Sequence, residues 1–124
     1  MARARILYIE DNAANLALVR KVLEHSGAYE VVGAGTGEDG LAAAQADPPA
    51  LILLDLDLPG IDGISLAKVM RADPRLAAIP IVALSAGVMK QEREQALAAG
   101  CRHFIEKPFD IAQLRLVVER VLGK

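Results

Sequence analysis

The sequence predicts an α/β domain in which a parallel sheet is covered by helices on both faces, and three observations carry that prediction. Short apolar runs alternate with longer amphipathic segments along all 124 residues. No low-complexity linker or internal repeat interrupts the alternation. One run, LILL at 51–54, is continuously apolar, as suits a central strand buried on both faces.

Strands are expected at 4–9 (ARILYI), 29–34 (YEVVGA), 51–54, 79–84 (IPIVAL) and 101–105 (CRHFI), short and mostly rich in β-branched or aromatic residues. Residues 13–25 set Leu16, Val19, Val22 and Leu23 on one helical face, and 111–122 does the same with Ile111, Leu114, Val118 and Val121. Residues 37–46, 63–72 and 88–99 read as further helices, shorter or Ala-rich. Gly27, Gly35 and Gly100 stand where helices stop or turns begin. Strands separated by helices pair in parallel through crossover connections.

Composition narrows the function. Apolar residues at 53% and charged residues at 24% supply one core and a solvated surface, which argues against disorder. A formal charge of −2, with no basic cluster longer than Arg3-Ala4-Arg5, argues against binding driven by nucleic-acid phosphates. The lone Cys101 excludes an internal disulfide and a Cys-rich zinc site, reads as core, and suits a reducing cytoplasm. No apolar run approaches the roughly 18 residues of a membrane span. The N-terminus also lacks the apolar region of a signal peptide, so a soluble cytoplasmic module without membrane insertion is expected.

In parallel α/β sheets, ligands bind outside the carboxyl ends of the strands. Here strand 1 ends in Glu10-Asp11, strand 3 in Asp55 and strand 4 in Ser85, and strand 5 runs into Lys107-Pro108. Carboxylates gathered there repel one another and raise their pKa values unless a cation sits among them. Oxygen-only ligands favour a hard ion. Magnesium suits a few carboxylates, leaving room for water and a phosphoryl oxygen, whereas calcium prefers a fuller oxygen cage. The hydroxyl and ammonium complete a phosphate site.

Each residue also has a structural explanation. Glu10-Asp11 can open a helix capped by Asn12, and Ser85 can cap the next one. Asp55 is harder to explain this way, because a charge ending a buried strand is costly without a partner. Pro108 imposes an extended backbone on Lys107 and so aims its side chain. Pro59-Gly60 and Gly63 read as turn formers, Tyr8, Tyr29 and Phe109 as packing residues, and His25 and His103 as surface residues.

The strings ILYIEDN at 6–12, LILLDLDLPGIDG at 51–63, VALSA at 82–86 and GCRHFIEKPF at 100–109 resemble, in order and spacing, the receiver domain of two-component response regulators. The resemblance spans almost the whole chain, so residues 1–124 are taken as one receiver domain. The Glu10-Asp11-Asn12 start followed by Asn15 is most similar to single-domain regulators of the DivK or chemotaxis kind and to receivers attached to hybrid kinases. The resemblance implies a flavodoxin-like, three-layer (βα)5 sandwich with strand order 2-1-3-4-5. It makes Asp55 the phosphate acceptor, and Asp11 and Asp55 magnesium ligands with Glu10 acting through water and Asp57 through its backbone carbonyl. Ser85 would bind a phosphoryl oxygen, Lys107 would pair with Asp55 or the phosphoryl group, and Ser85 and Phe104 would form the switch. These roles fit in-line attack by a carboxylate, which needs neutralised phosphoryl oxygens and no separate general base. Leu58 and Ile61 replace methionines common in the family. Asp57 adds a fourth carboxylate, and Gly87 leaves the phosphoryl group unshielded.

The expected function is a switch, not a dedicated enzyme. It takes phosphate from a histidine kinase or histidine phosphotransfer protein and signals by protein binding through the surface of the fourth helix, fifth strand and fifth helix. With the chain stopping at Lys124 directly after the last helix, no effector domain is expected, and no nucleic acid. Two other readings compete. Asp55-Leu56-Asp57 resembles the paired aspartates of haloacid-dehalogenase-type phosphohydrolases, but that family places them after its first strand and needs a cap or further core. A phosphorylation-independent scaffold fits poorly with an intact set of acidic, hydroxyl and lysine residues.

Overall fold

The structure is a computed structural model that describes residues 3–58, 60–86, 90–107 and 110–123, with Lys90 described by its backbone. Expectations for Pro59, Gly87, Pro108 and Phe109, for the first two residues of the 88–99 helix, and for the chain ends at 1–2 and 124 lie outside the described residues.

Five parallel strands, β1 (Ala4–Ile9), β2 (Tyr29–Ala34), β3 (Leu51–Asp55), β4 (Ile81–Ser85) and β5 (His103–Glu106), lie in the order β2-β1-β3-β4-β5. Helices α1 (Ala13–Glu24), α2 (Gly37–Ala46), α3 (Gly63–Ala72), α4 (Lys90–Ala98) and α5 (Ile111–Leu122) supply the crossovers. Alternation along each strand divides the core in two. Ile6, Tyr8, Leu51, Leu53, Val82 and Leu84 pack with Val19 and Leu23 of α1 and Leu114 and Val118 of α5. Leu7, Ile9, Ile52, Leu54, Ile81 and Ala83 face Leu66, Ala67 and Met70 of α3 and Ala96 of α4. The apolar run of β3 is therefore read by both faces, and all five of its residues are buried.

Two strands begin later than the sequence suggests. In the expected strand 79–84, the Ile79 N–H closes a turn onto the Leu76 carbonyl, and β4 begins at Ile81 and extends to Ser85. In the expected strand 101–105, the start belongs to the end of α4. The Gly100 N–H donates to Leu97 and the Cys101 N–H to Ala96, with Gly100 at φ +109, the 6→1 and 5→2 bonding of a Schellman stop. β5 therefore spans His103–Glu106.

The outer edge of β2 is capped at Val31 by two side chains of α1. Glu24 accepts from the Val31 N–H at 2.8 Å and Arg20 Nε donates to the Val31 carbonyl at 3.3 Å, occupying backbone groups that would otherwise offer a strand edge to another chain. Gly63, expected as a turn former, has a different reason to be glycine. It opens α3 so close to the loop after β3 that a Cβ there would lie 2.8 Å from Leu56 Cα. This contact holds α3 against the carboxyl end of β3.

Candidate functional site

Pairing of β1 with β2 continues past Ile9, because the Glu10 N–H donates to the Ala34 carbonyl at 2.9 Å. With its backbone fixed, Glu10 is 3% exposed, and its Oε1 accepts from Asn15 Nδ2 at 2.8 Å and from the Tyr8 hydroxyl at 3.3 Å. Asn15 is in reach because Asn12 caps α1, accepting from the N–H groups of Ala14 and Asn15 at 2.9 and 3.0 Å. Asp11 is exposed beside them.

Asp55 ends β3 at 2% exposure. Its Oδ1 accepts from the Asp57 N–H at 2.9 Å and its Oδ2 lies 2.8 Å from Lys107 Nζ. One carboxylate oxygen from each of Glu10, Asp11 and Asp55 falls within 4.8 Å of the others, a cluster that can hold a cation.

The electrostatics divide these groups. Burial, a hydrogen bond to Asp55 and its negative charge push Glu10 up to about 7, against the opposing hydrogen bond from Asn15. Burial also pushes Asp55 upward, but hydrogen bonds from Glu10, Lys107 and the Asp57 N–H outweigh it and hold Asp55 below its ordinary value. The expected rise therefore occurs at Glu10 and fails at Asp55, where the Glu10 hydrogen bond, the Lys107 ammonium and the Asp57 N–H favour the charged form. Burial works to lower Lys107, and Asp55, Glu10 and Asp57 together raise it. Tyr8 is raised by burial and by the charges of Glu10 and Asp55.

Ser85 is fully buried at the end of β4. Its hydroxyl lies 2.5 Å from Glu92 Oε1 on α4 and 3.3 Å from Asp57 Oδ1. The other Asp57 oxygen accepts from the Ala86 N–H at 2.8 Å and stands 3.7 Å from Lys107 Nζ. The Asp57 side chain thus ties the loop after β3 to the end of β4, beyond the backbone role expected of it. Sequence reasoning also missed three supports, Tyr8, Asn15 and Glu92. Asn15 carried a signal, three residues after a cap and facing back to the strand end. Glu92 carried none, since it sits in the polar run KQERE.

Phe104 is half-buried on β5 against the core shared with α3 and α4, and its register partner is Ala83. Leu58 is buried and Ile61 packs on the same core, so the bulk expected of them is kept. His25 is exposed as expected, whereas His103 is half-buried within β5. Cys101 is buried, and burial pushes its thiol up to about 11.

The fold and site define a class, the doubly wound α/β domains that carry an acidic pocket and a lysine at the carboxyl ends of the sheet. Residues 6–119 match the family model of the response regulator receiver domain, and the chain belongs to that family. It is 33% identical over 118 residues to the polar-differentiation response regulator DivK of Brucella ovis, covering 95% of each chain. Among solved structures it resembles the chemotaxis response regulator CheY4 of Vibrio cholerae, with a TM-score of 0.89 and 26% identity over 98% of this chain and 100% of that one. The receiver domain of the sensor histidine kinase PA1611 from Pseudomonas aeruginosa, described with a magnesium ion coordinated in its active-site cleft, gives a TM-score of 0.88 and 32% identity over 99% and 100%. Receiver domains are signalling switches. No helix among the described residues is long and apolar enough to cross a membrane.

Proposed function

We propose that residues 1–124 form one receiver domain that accepts a phosphoryl group on Asp55 from a phosphohistidine of a histidine kinase or phosphotransfer protein in the cytoplasm. The observation that carries this reading is the juxtaposition of Lys107 with Asp55 at 2.8 Å beside the Glu10, Asp11 and Asp55 cluster. The donor set fits magnesium. It is all oxygen, Asp11 leaves it open to solvent, and one oxygen from each of Glu10, Asp11 and Asp55 falls within 4.8 Å of the others. Asp11, Asp55 and the Asp57 carbonyl would bind the ion directly and Glu10 through water. Bound magnesium supplies charge neutralisation at the phosphoryl oxygens.

Asp55, held ionised by its hydrogen bonds, is ready for in-line attack on phosphorus as the phosphorus–nitrogen bond to the donor imidazole breaks. The Lys107 ammonium neutralises charge on the group being transferred, and the Ser85 hydroxyl donates to one of its oxygens. Drawing Ser85 toward the phosphoryl group then frees space for Phe104 to turn inward and reshapes the α4, β5 and α5 surface. That surface presents Leu97 and Leu116, both exposed, to a protein partner.

The test is incubation with acetyl phosphate and magnesium, followed by intact mass measurement and peptide mapping. The wild type should gain one phosphoryl group on Asp55, and Asp55→Asn none. A full adduct on the variant overturns the assignment.

A further inference from the structure

Glu92 lies half-buried in the first turn of α4, outside every role assigned so far. Its Oε1 is 2.5 Å from Ser85 Oγ, while the Asp57 oxygen on the same hydroxyl is at 3.3 Å. A serine hydroxyl has one proton to donate, and the shorter contact to an acceptor-only carboxylate takes it. We propose that Glu92 is a positioning residue that holds the Ser85 hydroxyl on α4 in the unmodified protein, so that a phosphoryl group on Asp55 must win Ser85 from Glu92.

The inference rests on the reading of Asp55 as acceptor and adds to it the residue that carries the signal into α4. When the Ser85 proton turns to a phosphoryl oxygen, Glu92 loses its donor and remains part-buried as an unsatisfied carboxylate facing new negative charge. Glu92 itself lines the open groove between α3 and α4 with Leu56, Asp62, Ile64, Gln91 and Gln95, so the released carboxylate turns outward into that space and α4 shifts with it. The latch therefore sets the threshold for switching as well as the helix that responds.

Beryllofluoride, a phosphoryl mimic, tests this by titration in magnesium followed by fluorine NMR, with magnesium affinity measured separately. Glu92→Ala should bind beryllofluoride about tenfold more tightly, on the scale of one charge-assisted hydrogen bond. Glu92→Gln keeps an oxygen acceptor without the charge and should fall between. Magnesium affinity should be unchanged in both. In a Ser85→Ala background most of the Glu92→Ala gain should disappear, which a structural disturbance of α4 does not predict. An unchanged affinity in Glu92→Ala, or a gain of equal size without the Ser85 hydroxyl, overturns the latch while the acceptor reading stands. A wild type that binds no beryllofluoride overturns both.

Discussion

The backbone N–H of Lys107 donates to the carbonyl of Ser85 at 2.7 Å, so the ammonium and the hydroxyl at this site are tied through the main chain. The bond continues the pairing of β4 with β5 one step beyond Glu106, whose register partner is Ser85. Strand register thereby delivers Lys107 to Asp55. Any movement of Ser85 also pulls on the segment that carries the lysine.

Lys107 shares Asp55 with whatever cation occupies the acidic cluster, and the two positive charges repel. Lys107→Met should therefore bind magnesium more tightly, by about tenfold or more. The same change removes charge neutralisation from the transferred group, so labelling by acetyl phosphate should fall by about 100-fold or more. Calorimetric titration and a labelling time course read the two effects. A parallel loss of both points to a purely structural lysine.

Glu10 makes the magnesium-free protein sensitive to pH in a defined window. Its folded pKa of about 7 lies above the ordinary 4.5, so the folded chain binds the proton more tightly than the unfolded one. This contribution is fully present below about pH 4.5 and is lost as pH rises through 7, by on the order of 3 kcal/mol. Asp55, lowered from 3.8, acts in the opposite sense and only in acid, losing its contribution as pH falls below that value. Urea melts from pH 4.5 to 7.5 in chelator should show the decline in the wild type and a much flatter profile in Glu10→Gln. Equal profiles refute the assignment.

Much of this was legible because charge at the end of an apolar run is costly and therefore informative. Glu10 and Asp55 each stand at such an end, Lys107 was marked by the proline after it, and the structure gathers all three. The bounds of β1, β2, α2, α3 and α5 are those expected from the alternation of short apolar runs and longer segments. The starts of β4 and β5 were misread because Ile79 and Cys101 are apolar yet spend their N–H groups on a turn and a helix stop. Glu92 was illegible, since a carboxylate on a polar helix looks solvated until tertiary packing brings α4 over Ser85. The side-chain role of Asp57 was hidden for the same reason.

Substituting Phe104 should separate chemistry from signalling. Its ring is half-buried against the core shared with α3 and α4, and the contacts to Asp55 come from the Asp57 N–H and Lys107 Nζ, so Phe104→Ala should still accept phosphate at close to the wild-type rate. Loss of the ring should remove much of the phosphorylation-dependent change in partner affinity, because nothing then fills the space that Ser85 vacates. Affinity titrations against a partner captured by the phosphorylated form read this directly. Coupling equal to that of the wild type identifies Phe104 as ordinary packing.

Asp11 is the exposed member of the acidic cluster, and removing its charge acts on stability in two opposed ways. Without metal, Asp11 lies near two buried carboxyl groups and adds repulsion that exists only in the folded chain. Asp11→Asn should therefore be at least as stable as the wild type in chelator. With metal, the wild type should gain RT ln(1 + [Mg]/Kd), about 1.4 kcal/mol when free magnesium is roughly tenfold above Kd. The variant lacks the proposed direct ligand, so its Kd should rise and its gain at the same concentration should shrink to a few tenths of a kcal/mol. Paired urea melts at fixed ionic strength, with and without magnesium, isolate this difference, because screening acts on both proteins alike. An equal gain in the two proteins removes Asp11 from the ligand set and moves the ion away from the end of β1.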